Sequence, residues 1–346
     1  MDFSFSADQR LFQEAVRDLL DKECPPDAVR DAWESDGPGR SESRWAQLAD
    51  MGVLGLTTPE AFGGLGMDEL DLVLLLEEAG RFCLPEPLVE TVAVAAPLLA
   101  DLSAGNGGAA ASEWLPKIAA GDGVVTVGFE RDVYVSEGAT AELLLLERDG
   151  ELHAVPWADA AVASQRSVDR ARRIARVEWS PTPDTLLASG HEAAVALAAA
   201  FDRGVLGVSA MLLGVTQQLL DVTVEYATAR EQFGQPIGGF QAVKHHLADT
   251  KLRLEFARPM VYRAAWTVAG RGGAVDARER ATHVSMAKSY AAEAAAFAAR
   301  TSLQVHGAIG YTFEYDLHLW MKRAWALAGQ WGDAAWHRRR VAAAVL

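Results

Sequence analysis

The spacing of apolar residues changes twice along this sequence, and these changes limit the folds that it can adopt. Up to about residue 120, apolar residues recur at the three- and four-residue steps of amphipathic helices. A series of short β-type runs follows, separated by glycine, aspartate and charged pairs, and from about residue 190 the pattern is helical again. We therefore predict a mostly α protein of the α+β class, with a helical N-terminal domain, a small truncated β domain and a C-terminal four-helix bundle. The predicted domains are 1–121, 122–187 and 188–346.

Caps and helix breakers locate the individual elements. Ser6 can cap the first helix, and Pro85 and Pro87 separate two later ones. The predicted N-terminal helices begin near Asp8, Ser43, Asp68, Glu90 and Ser112. The predicted strands are 124–129, 132–135, 142–147, 152–155 and 174–179. The predicted long C-terminal helices are 191–229, 237–269, 276–308 and 315–328, with a short one over 334–344.

Composition restricts the classes of function. The net charge of −15 disfavours nucleic acid and anionic membranes as partners. Cys24 and Cys83 show neither a disulfide framework nor metal-ligand spacing, so we expect two reduced thiols and no metal site. We recognise no signal peptide and expect no apolar run of membrane-spanning length, which together predict a cytoplasmic protein.

A turn between the first two long C-terminal helices gathers polar groups. An apolar helical stripe ends at Tyr226, and Arg230, Gln232 and Gln241 follow within one turn region. A fixed positive charge, amide donors and free backbone N–H groups at helix ends are suited to an anion such as phosphate. On the residues alone, a solvated arginine at a helix end remains the commoner alternative.

The order of residues in this turn is more specific than its chemistry. The run from Tyr226 to Gln241, Tyr-Ala-Thr-Ala-Arg-Glu-Gln-Phe-Gly-Gln-Pro-Ile-Gly-Gly-Phe-Gln, resembles the signature of the acyl-CoA dehydrogenase family. In that family the arginine and the final glutamine reach across a dimer interface to the pyrophosphate of the neighbouring subunit's FAD. The resemblance implies FAD contacts by Arg230, Gln232, Phe233 and Gln241.

A second run resembles the same family. The run from Leu303 to Tyr315, Leu-Gln-Val-His-Gly-Ala-Ile-Gly-Tyr-Thr-Phe-Glu-Tyr, is similar to the signature that contacts the adenosine half of the neighbour's FAD. Ala308 stands where a second glycine is usual. On the residues alone, the histidine of this run is more typical of a partly buried helix end than of a catalyst. The resemblance carries the FAD contact to Gln304, Val305, His306, Gly307 and Ala308.

The catalytic parts of the family pattern are not recognisable in this sequence. The resemblance implies desaturation of an acyl-CoA thioester in lipid metabolism, with a glutamate removing the α-proton, FAD accepting hydride and electron-transfer flavoprotein taking the electrons. The two family positions for the glutamate hold Trp331 and Gly204. The segments that hold the flavin ring are also missing or unrecognisable in 122–187. One substrate feature is kept, because Phe201-Asp-Arg resembles the run whose aspartate, here Asp202, contacts the CoA pantetheine.

The loss of these parts resembles the degenerate subunit of actinobacterial, steroid-degrading acyl-CoA dehydrogenases, which form α2β2 heterotetramers. Our leading hypothesis is that the chain has no catalytic residue of its own and completes the FAD site of a paralogous partner. One alternative is a self-sufficient dehydrogenase or related flavoenzyme with Asp333 as the base, although Asp333 is also suited to be the N-cap of the last helix. Another is a non-enzymatic scaffold or CoA-binding subunit.

Overall fold

Helices and strands follow one another in the order that the changes of period predict. The computed structural model describes residues 4–271, 273 and 276–346. The chain divides into two compact units. The helical unit combines the N-terminal residues up to Val29 with Val73–Leu84 and Val205–Leu346, and the sheet unit contains Arg30–Leu72 and Pro85–Gly204. The boundaries of the three predicted domains remain a prediction.

The α-helices match the predicted ones with shifts at several ends, except the second, which was not predicted. They are α1 (Ala7–Glu23), α2 (Pro26–Glu34), α3 (Glu42–Asp50), α4 (Glu69–Arg81), α5 (Ala96–Asp101), α6 (Gly108–Ala120), α7 (Gly190–Ala229), α8 (Gln241–Val268), α9 (Ala277–His306), α10 (Leu317–Gly329) and α11 (Ala334–Val345). The helix predicted to begin near Glu90 is a π-helical segment over Leu88–Ala95 that continues into α5.

Local sequence signals explain where helices begin. Ser6 caps α1 as predicted, because its Oγ accepts a hydrogen bond from Gln9 N at 3.1 Å and Gln9 Oε1 accepts one from Ser6 N at 2.8 Å. The helix predicted to begin at Ser112 begins at Gly108 instead. Ser112 lies inside that helix and donates to the carbonyl oxygen of Gly108. Its hydroxyl therefore bonds within the helix and does not cap it.

The strands form one main sheet and a separate ribbon. They are β1 (Val125–Gly128), β2 (Leu143–Arg148), β3 (Glu151–Pro156), β4 (Ala161–Ser164), β5 (Ala175–Glu178) and β6 (Leu186–Ala188). The main sheet has the order β1-β2-β3-β6, and β4 pairs with β5. β1 is parallel to β2, whereas β3 is antiparallel to both β2 and β6. Asp149 and Gly150 join β2 to β3 with φ angles of 53° and 77°, as a tight Asp-Gly hairpin requires.

The strand predicted at 132–135 is wrong. Val135 forms an isolated bridge with Ala175, and Val133 is 69% exposed. The run has β-type residues but no neighbouring strand along its length, and propensity without a partner does not make a strand. β4 and β6 were not predicted, because β4 is largely exposed without a buried face and β6 has three residues.

Two glycines allow helices α4 and α7 of the helical unit to pack closely against each other. A Cβ atom on Gly80 of α4 would lie 2.0 Å from the carbonyl oxygen of Met211, and one on Gly214 of α7 would lie 1.8 Å from that of Glu77. Any larger residue at either position would push the helices apart. The two glycines thereby fix the contact between the α4 and α7 residues of this unit.

The longest helix, α7, differs from one sequence expectation. By length and composition it could cross a membrane, although no run of that kind was expected. Its most apolar 18-residue window is 78% buried inside the protein, which is typical of a core helix, and a single such helix is weak evidence for a membrane span. The expectation was wrong because residues 204–216 are buried on all faces of the helix rather than along one stripe.

Candidate functional site

The turn between α7 and α8 is a two-residue β-hairpin. Strands β7 (Glu231–Gln232) and β8 (Gln235–Pro236) pair antiparallel, and the tip residues Phe233 and Gly234 have φ angles of 54° and 78°. Left-handed backbone at both tip residues is what this kind of turn requires. The Phe233 side chain is 94% exposed. A 3₁₀ turn over Ile237–Gly239 follows, so α8 begins later than the predicted residue 237.

Polar groups of this turn face solvent. Arg230, Gln232 and Gln241 are exposed. The backbone of Arg230 is fixed, since its N–H donates to Tyr226 O and its carbonyl oxygen accepts from Ile237 N, both at 2.8 Å. Within the described chain the Arg230 guanidinium forms neither an ion pair nor a hydrogen bond. A positive charge and two amides are thus held at the surface on a rigid turn.

The C-terminal end of α9 carries the second signature. Gln304, Gly307 and Ala308 are exposed and Val305 is half-buried, whereas His306 is 3% exposed. Gly307 ends the helix with φ 63° and ψ −137°, a conformation that favours glycine. An FAD contact by the backbone and the glutamine is compatible with this exposure.

His306 has a structural environment. Its Nδ1 lies 2.7 Å from Ser302 O, and its Nε2 lies 3.2 Å from the Tyr315 hydroxyl. Burial lowers the pKa of His306 below its usual value, and the hydrogen bond to Ser302 opposes that change only in part. A neutral, buried imidazole is suited to packing, which agrees with the prediction of a partly buried histidine at a helix end.

Tyr226 brings the two signatures together. Its ring stacks on His306 with the ring centroids 4.3 Å apart and the planes 21° apart. Tyr226 lies one helical turn before Arg230, so the hairpin and the end of α9 are neighbours. In the sequence, Tyr226 marks both the end of the apolar stripe and the start of the first signature. Tyr315 belongs to the second run but was given no role there; its ring centroid lies 5.1 Å from that of the same imidazole.

The helices also bring Gln241 to this end of the unit. Thr267 Oγ1 lies 2.9 Å from His283 Nδ1, and the Arg253 guanidinium lies 4.3 Å from the centre of the Phe297 ring. The α8 residue with the higher number contacts the α9 residue with the lower number, so α8 and α9 are antiparallel. The first residue of α8, Gln241, therefore lies at the same end as the last residues of α9. We call the exposed group of Arg230, Gln232, Phe233, Gln241, Gln304, Gly307 and Ala308 the signature surface.

The first family position for a base is a closed turn. Trp331 is 7% exposed and has φ 58°, and Gly332 follows with φ 91°. The fully buried ammonium of Lys288 lies 2.9–3.1 Å from four carbonyl oxygens at the end of α10 and just after it, including that of Gly332, so its three N–H donors serve four acceptors. His337 Nε2 donates to Trp331 O at 2.8 Å. Lys288 was missed from the sequence; its only signal is a lysine within an alanine- and serine-rich helix.

The remaining positions that the sequence analysis names for a base or for a CoA contact are Gly204, Asp333 and Asp202. Gly204 lies within α7 and has no side chain. Asp333 is exposed and caps α11, because its Oδ1 accepts a hydrogen bond from Trp336 N at 2.7 Å. Asp202, assigned a CoA contact by resemblance, is fully buried on α7 in the sheet unit. Its carboxylate is therefore not presented to solvent.

Packed side chains follow β1, the region to which the family resemblance assigns the segments that hold the flavin ring. The chain turns directly after β1, with Asp132 N donating to Phe129 O at 2.9 Å. Phe129 packs edge-on against Phe201 with the ring centroids 5.7 Å apart, and the Arg131 guanidinium lies 3.7 Å from the centre of the Phe201 ring. Two rings and a guanidinium thus pack against each other at this position.

Comparison with known proteins identifies the family. The models for the N-terminal and C-terminal domains of acyl-CoA dehydrogenases match residues 6–122 and 193–346. The acyl-CoA dehydrogenase IpdE2 of Mycolicibacterium smegmatis is 32% identical over 341 residues, which cover 98% of this chain and 99% of that protein. The chain belongs to the acyl-CoA dehydrogenase family. Members of this family use FAD and oxidise CH–CH bonds, and the fold is that of the family as predicted.

Further relatives agree with this assignment. IpdE2 of Mycobacterium tuberculosis is 33% identical over 322 residues, which cover 92% of this chain and 91% of that protein. Among solved structures, the ChsE4–ChsE5 complex from Mycobacterium tuberculosis contains a chain with a TM-score of 0.86 and 25% identity, covering 99% of this chain and 98% of that one. The steroid acyl-CoA dehydrogenase Tcur3481–Tcur3483 has a TM-score of 0.84 and 26% identity, covering 98% and 97%.

Proposed function

We propose that this chain is the non-catalytic subunit of an FAD-dependent acyl-CoA dehydrogenase and that it completes the FAD site of a paralogous partner subunit. One asymmetry carries the proposal. The groups that would contact a neighbour's FAD are exposed on the signature surface, whereas the two family positions for the catalytic glutamate hold Trp331 and Gly204.

The donors of the signature surface fit a dinucleotide. The Arg230 guanidinium and the amides of Gln232 and Gln241 can donate to a pyrophosphate, and a guanidinium matches phosphate oxygens in both charge and geometry. Gln304 and the backbone around Gly307 can serve the adenosine half. FAD bound there supplies the hydride acceptor, and this chain's residues hold and orient it.

Proton abstraction is assigned to the partner. A base must approach the α-carbon of the thioester within hydrogen-bonding distance, and its pKa must suit the step. Trp331 offers an indole, in a turn that Lys288 and His337 hold in place. Asp333 uses its carboxylate to cap α11. These interactions support a site that relies on a glutamate from a second chain.

The assembly is proposed to be an α2β2 heterotetramer in the cytoplasm that passes electrons to electron-transfer flavoprotein. Two similar structures support this assembly, because each is named after two proteins: ChsE4–ChsE5 and Tcur3481–Tcur3483. The second of them is described as a steroid enzyme. By the same analogy, we propose an acyl-CoA with a steroid-derived acyl group as the substrate.

Expression of the chain with and without a glutamate-bearing paralogue tests the proposal. Alone, we expect it to be colourless or poorly soluble. Together, we expect a complex that contains one FAD for each pair of chains and desaturates acyl-CoA. A yellow, active homo-oligomer formed by this chain alone would overturn the proposal, and a colourless complex would favour a scaffold role.

A charge-matched pair of variants tests the FAD contact within the complex. Arg230→Ala removes a charged donor and is expected to weaken FAD binding about ten- to a hundred-fold. The control, Arg176→Ala, removes an exposed arginine from β5 of the sheet unit and should leave the FAD content unchanged. Titration of the apo-complex with FAD, followed by flavin fluorescence, measures both. Equal affinities for the two variants would contradict the assignment of Arg230.

A further inference from the structure

A basic cleft opens in the sheet unit. It has a volume of about 800 Å³ and lies between the α2–α3 connection and the segment that joins β4 to β5. Two carboxylates, those of Glu34 and Asp36, belong to its lining together with five arginines. The arginines are Arg40, Arg166, Arg170, Arg172 and Arg173. We call it the arginine cleft. The side chains that line it carry a net positive charge, although the net charge of the whole chain is −15.

Side-chain hydrogen bonds tie the two walls of the cleft together. Arg173 Nη2 donates to the carbonyl oxygens of Ala32 at 2.8 Å and Ser35 at 2.9 Å. Trp33 Nε1 donates to Asp169 Oδ1 at 3.1 Å. Each bond joins the N-terminal wall to the segment between β4 and β5. The cleft is therefore preformed, and a ligand would not have to order its walls.

Two guanidinium donors of the cleft have no acceptor among the residues that the structure describes. Arg40 Nη1 and Arg173 Nε are buried and form no hydrogen bond within the described residues. Arg40 Nη2 lies 3.8 Å from Glu142, beyond hydrogen-bonding distance. The side chains of Arg166 and Arg170 are exposed at the opening. A buried charged donor without an acceptor is costly, and an anion in the cleft would relieve that cost.

The nearby buried carboxylates are already used by the protein. Asp169 accepts hydrogen bonds from the Trp33 indole and from a backbone N–H. Glu137 accepts from the Thr140 hydroxyl at 3.0 Å and from a backbone N–H at 3.1 Å. Both bond within the walls, and Glu34 and Asp36 are exposed. Hydrogen bonds from neutral donors leave the charge of Asp169 in place, and Arg40 lies within ion-pair distance of Glu142; the lining itself still holds five arginines against two carboxylates.

We propose that the arginine cleft binds a small molecule carrying two or more phosphate groups. Its volume suits a ligand of nucleotide size. Several guanidinium groups around one space can bind the many oxygens of a phosphorylated ligand, whereas a ligand with one carboxylate would occupy only some of them. The hydroxyls of Ser164 and Ser167 add neutral donors. The cleft lies in the sheet unit and the signature surface in the helical unit, so this proposal does not depend on the proposed FAD contact.

Calorimetric titration of the purified protein at low ionic strength tests the proposal. The probes are ADP, inorganic pyrophosphate and coenzyme A, with adenosine as the phosphate-free control. We expect the three phosphorylated probes to bind and adenosine not to bind. Replacing both exposed arginines, Arg166→Gln and Arg170→Gln, should weaken binding at least ten-fold. Arg176→Gln, an exposed arginine outside the cleft lining, should leave it unchanged.

The same titrations identify the source of the phosphates. If coenzyme A binds more tightly than ADP, and removal of its 3′-phosphate abolishes this difference, the cleft binds the nucleotide part of the acyl-CoA substrate. If ADP and pyrophosphate bind equally well, the ligand is a free nucleotide. Both results support phosphate recognition in the cleft. Binding of none of the phosphorylated probes, or binding that both the double variant and Arg40→Gln leave unchanged, would overturn the proposal.

Discussion

The carboxyl group of Glu137 gives the folded chain a pH dependence that can be calculated. Glu137 is 7% exposed, and burial raises its pKa from 4.5 to about 7, with repulsion from Glu90 adding to the shift. Hydrogen bonds from the Arg173 N–H and the Thr140 hydroxyl act in the opposite direction without cancelling it. The folded protein therefore binds this proton more tightly than the unfolded chain does.

The sign and the size follow from linkage. Because the folded pKa is raised, the stabilisation from the protonated form is complete below pH 4.5 and is lost as the pH rises through about 7. At ~1.4 kcal/mol for each pH unit between the two pKa values, the folded state loses about 2.5 kcal/mol between pH 5 and pH 8.

Glu137→Gln removes this dependence and keeps the side-chain shape. The amide oxygen can still accept from Arg173 N, and any cost of the new NH₂ group is the same at every pH. We expect the free energy of unfolding of the variant, relative to the wild type, to rise by about 2.5 kcal/mol from pH 5 to pH 8. Urea unfolding at three pH values measures it, with both proteins in the same oligomeric form.

An exposed glutamate provides the control for this measurement. The Glu178 side chain is 72% exposed on β5. Glu178→Gln makes the same chemical change there, and its effect should stay within about 0.5 kcal/mol at all pH values. A difference between Glu137→Gln and the wild type that does not change with pH would refute the reasoning.

Two further predictions concern the turn at the family's base position. Lys288→Met removes a fully buried ammonium from four carbonyl oxygens and should lower the free energy of unfolding by about 3–5 kcal/mol. Lys251→Met, at a half-exposed ion pair with Glu255, should cost less than about 1 kcal/mol, and equal losses in thermal unfolding would contradict the role of Lys288. Asp333→Asn keeps the cap to Trp336 N and should leave turnover of the active complex unchanged; a fall of several orders of magnitude in kcat would make Asp333 the base.

Much of the fold is predictable because its signals are local. The capping box at Ser6 and the Asp149-Gly150 turn each act over a few residues, and the structure has both. The exceptions depend on neighbours distant in sequence. The run around Val133 has strand-forming residues but lacks a partner strand, and Ser112 bonds back to a helix that had already begun.

The candidate site also has parts that short sequence runs predict and parts that depend on contacts distant in sequence. The residues of the signature surface follow from the order of residues in two short runs. Lys288 reaches carbonyl oxygens about forty residues further along the chain, and no local pattern marks that contact. The arginine cleft joins Arg40 to residues 166–173, a juxtaposition that only the tertiary fold creates.

The open aromatic tip of the hairpin has a consequence for how much of this chain a cell can keep. Under the proposed function the partner subunit would cover this ring, which is 94% exposed on a rigid turn, and binding of the partner would stabilise the folded chain. Copies made without a partner would lack that stabilisation, so a larger fraction of them would be unfolded and open to chaperones and proteases. The abundance of this chain would then follow that of its partner without any matching of transcription.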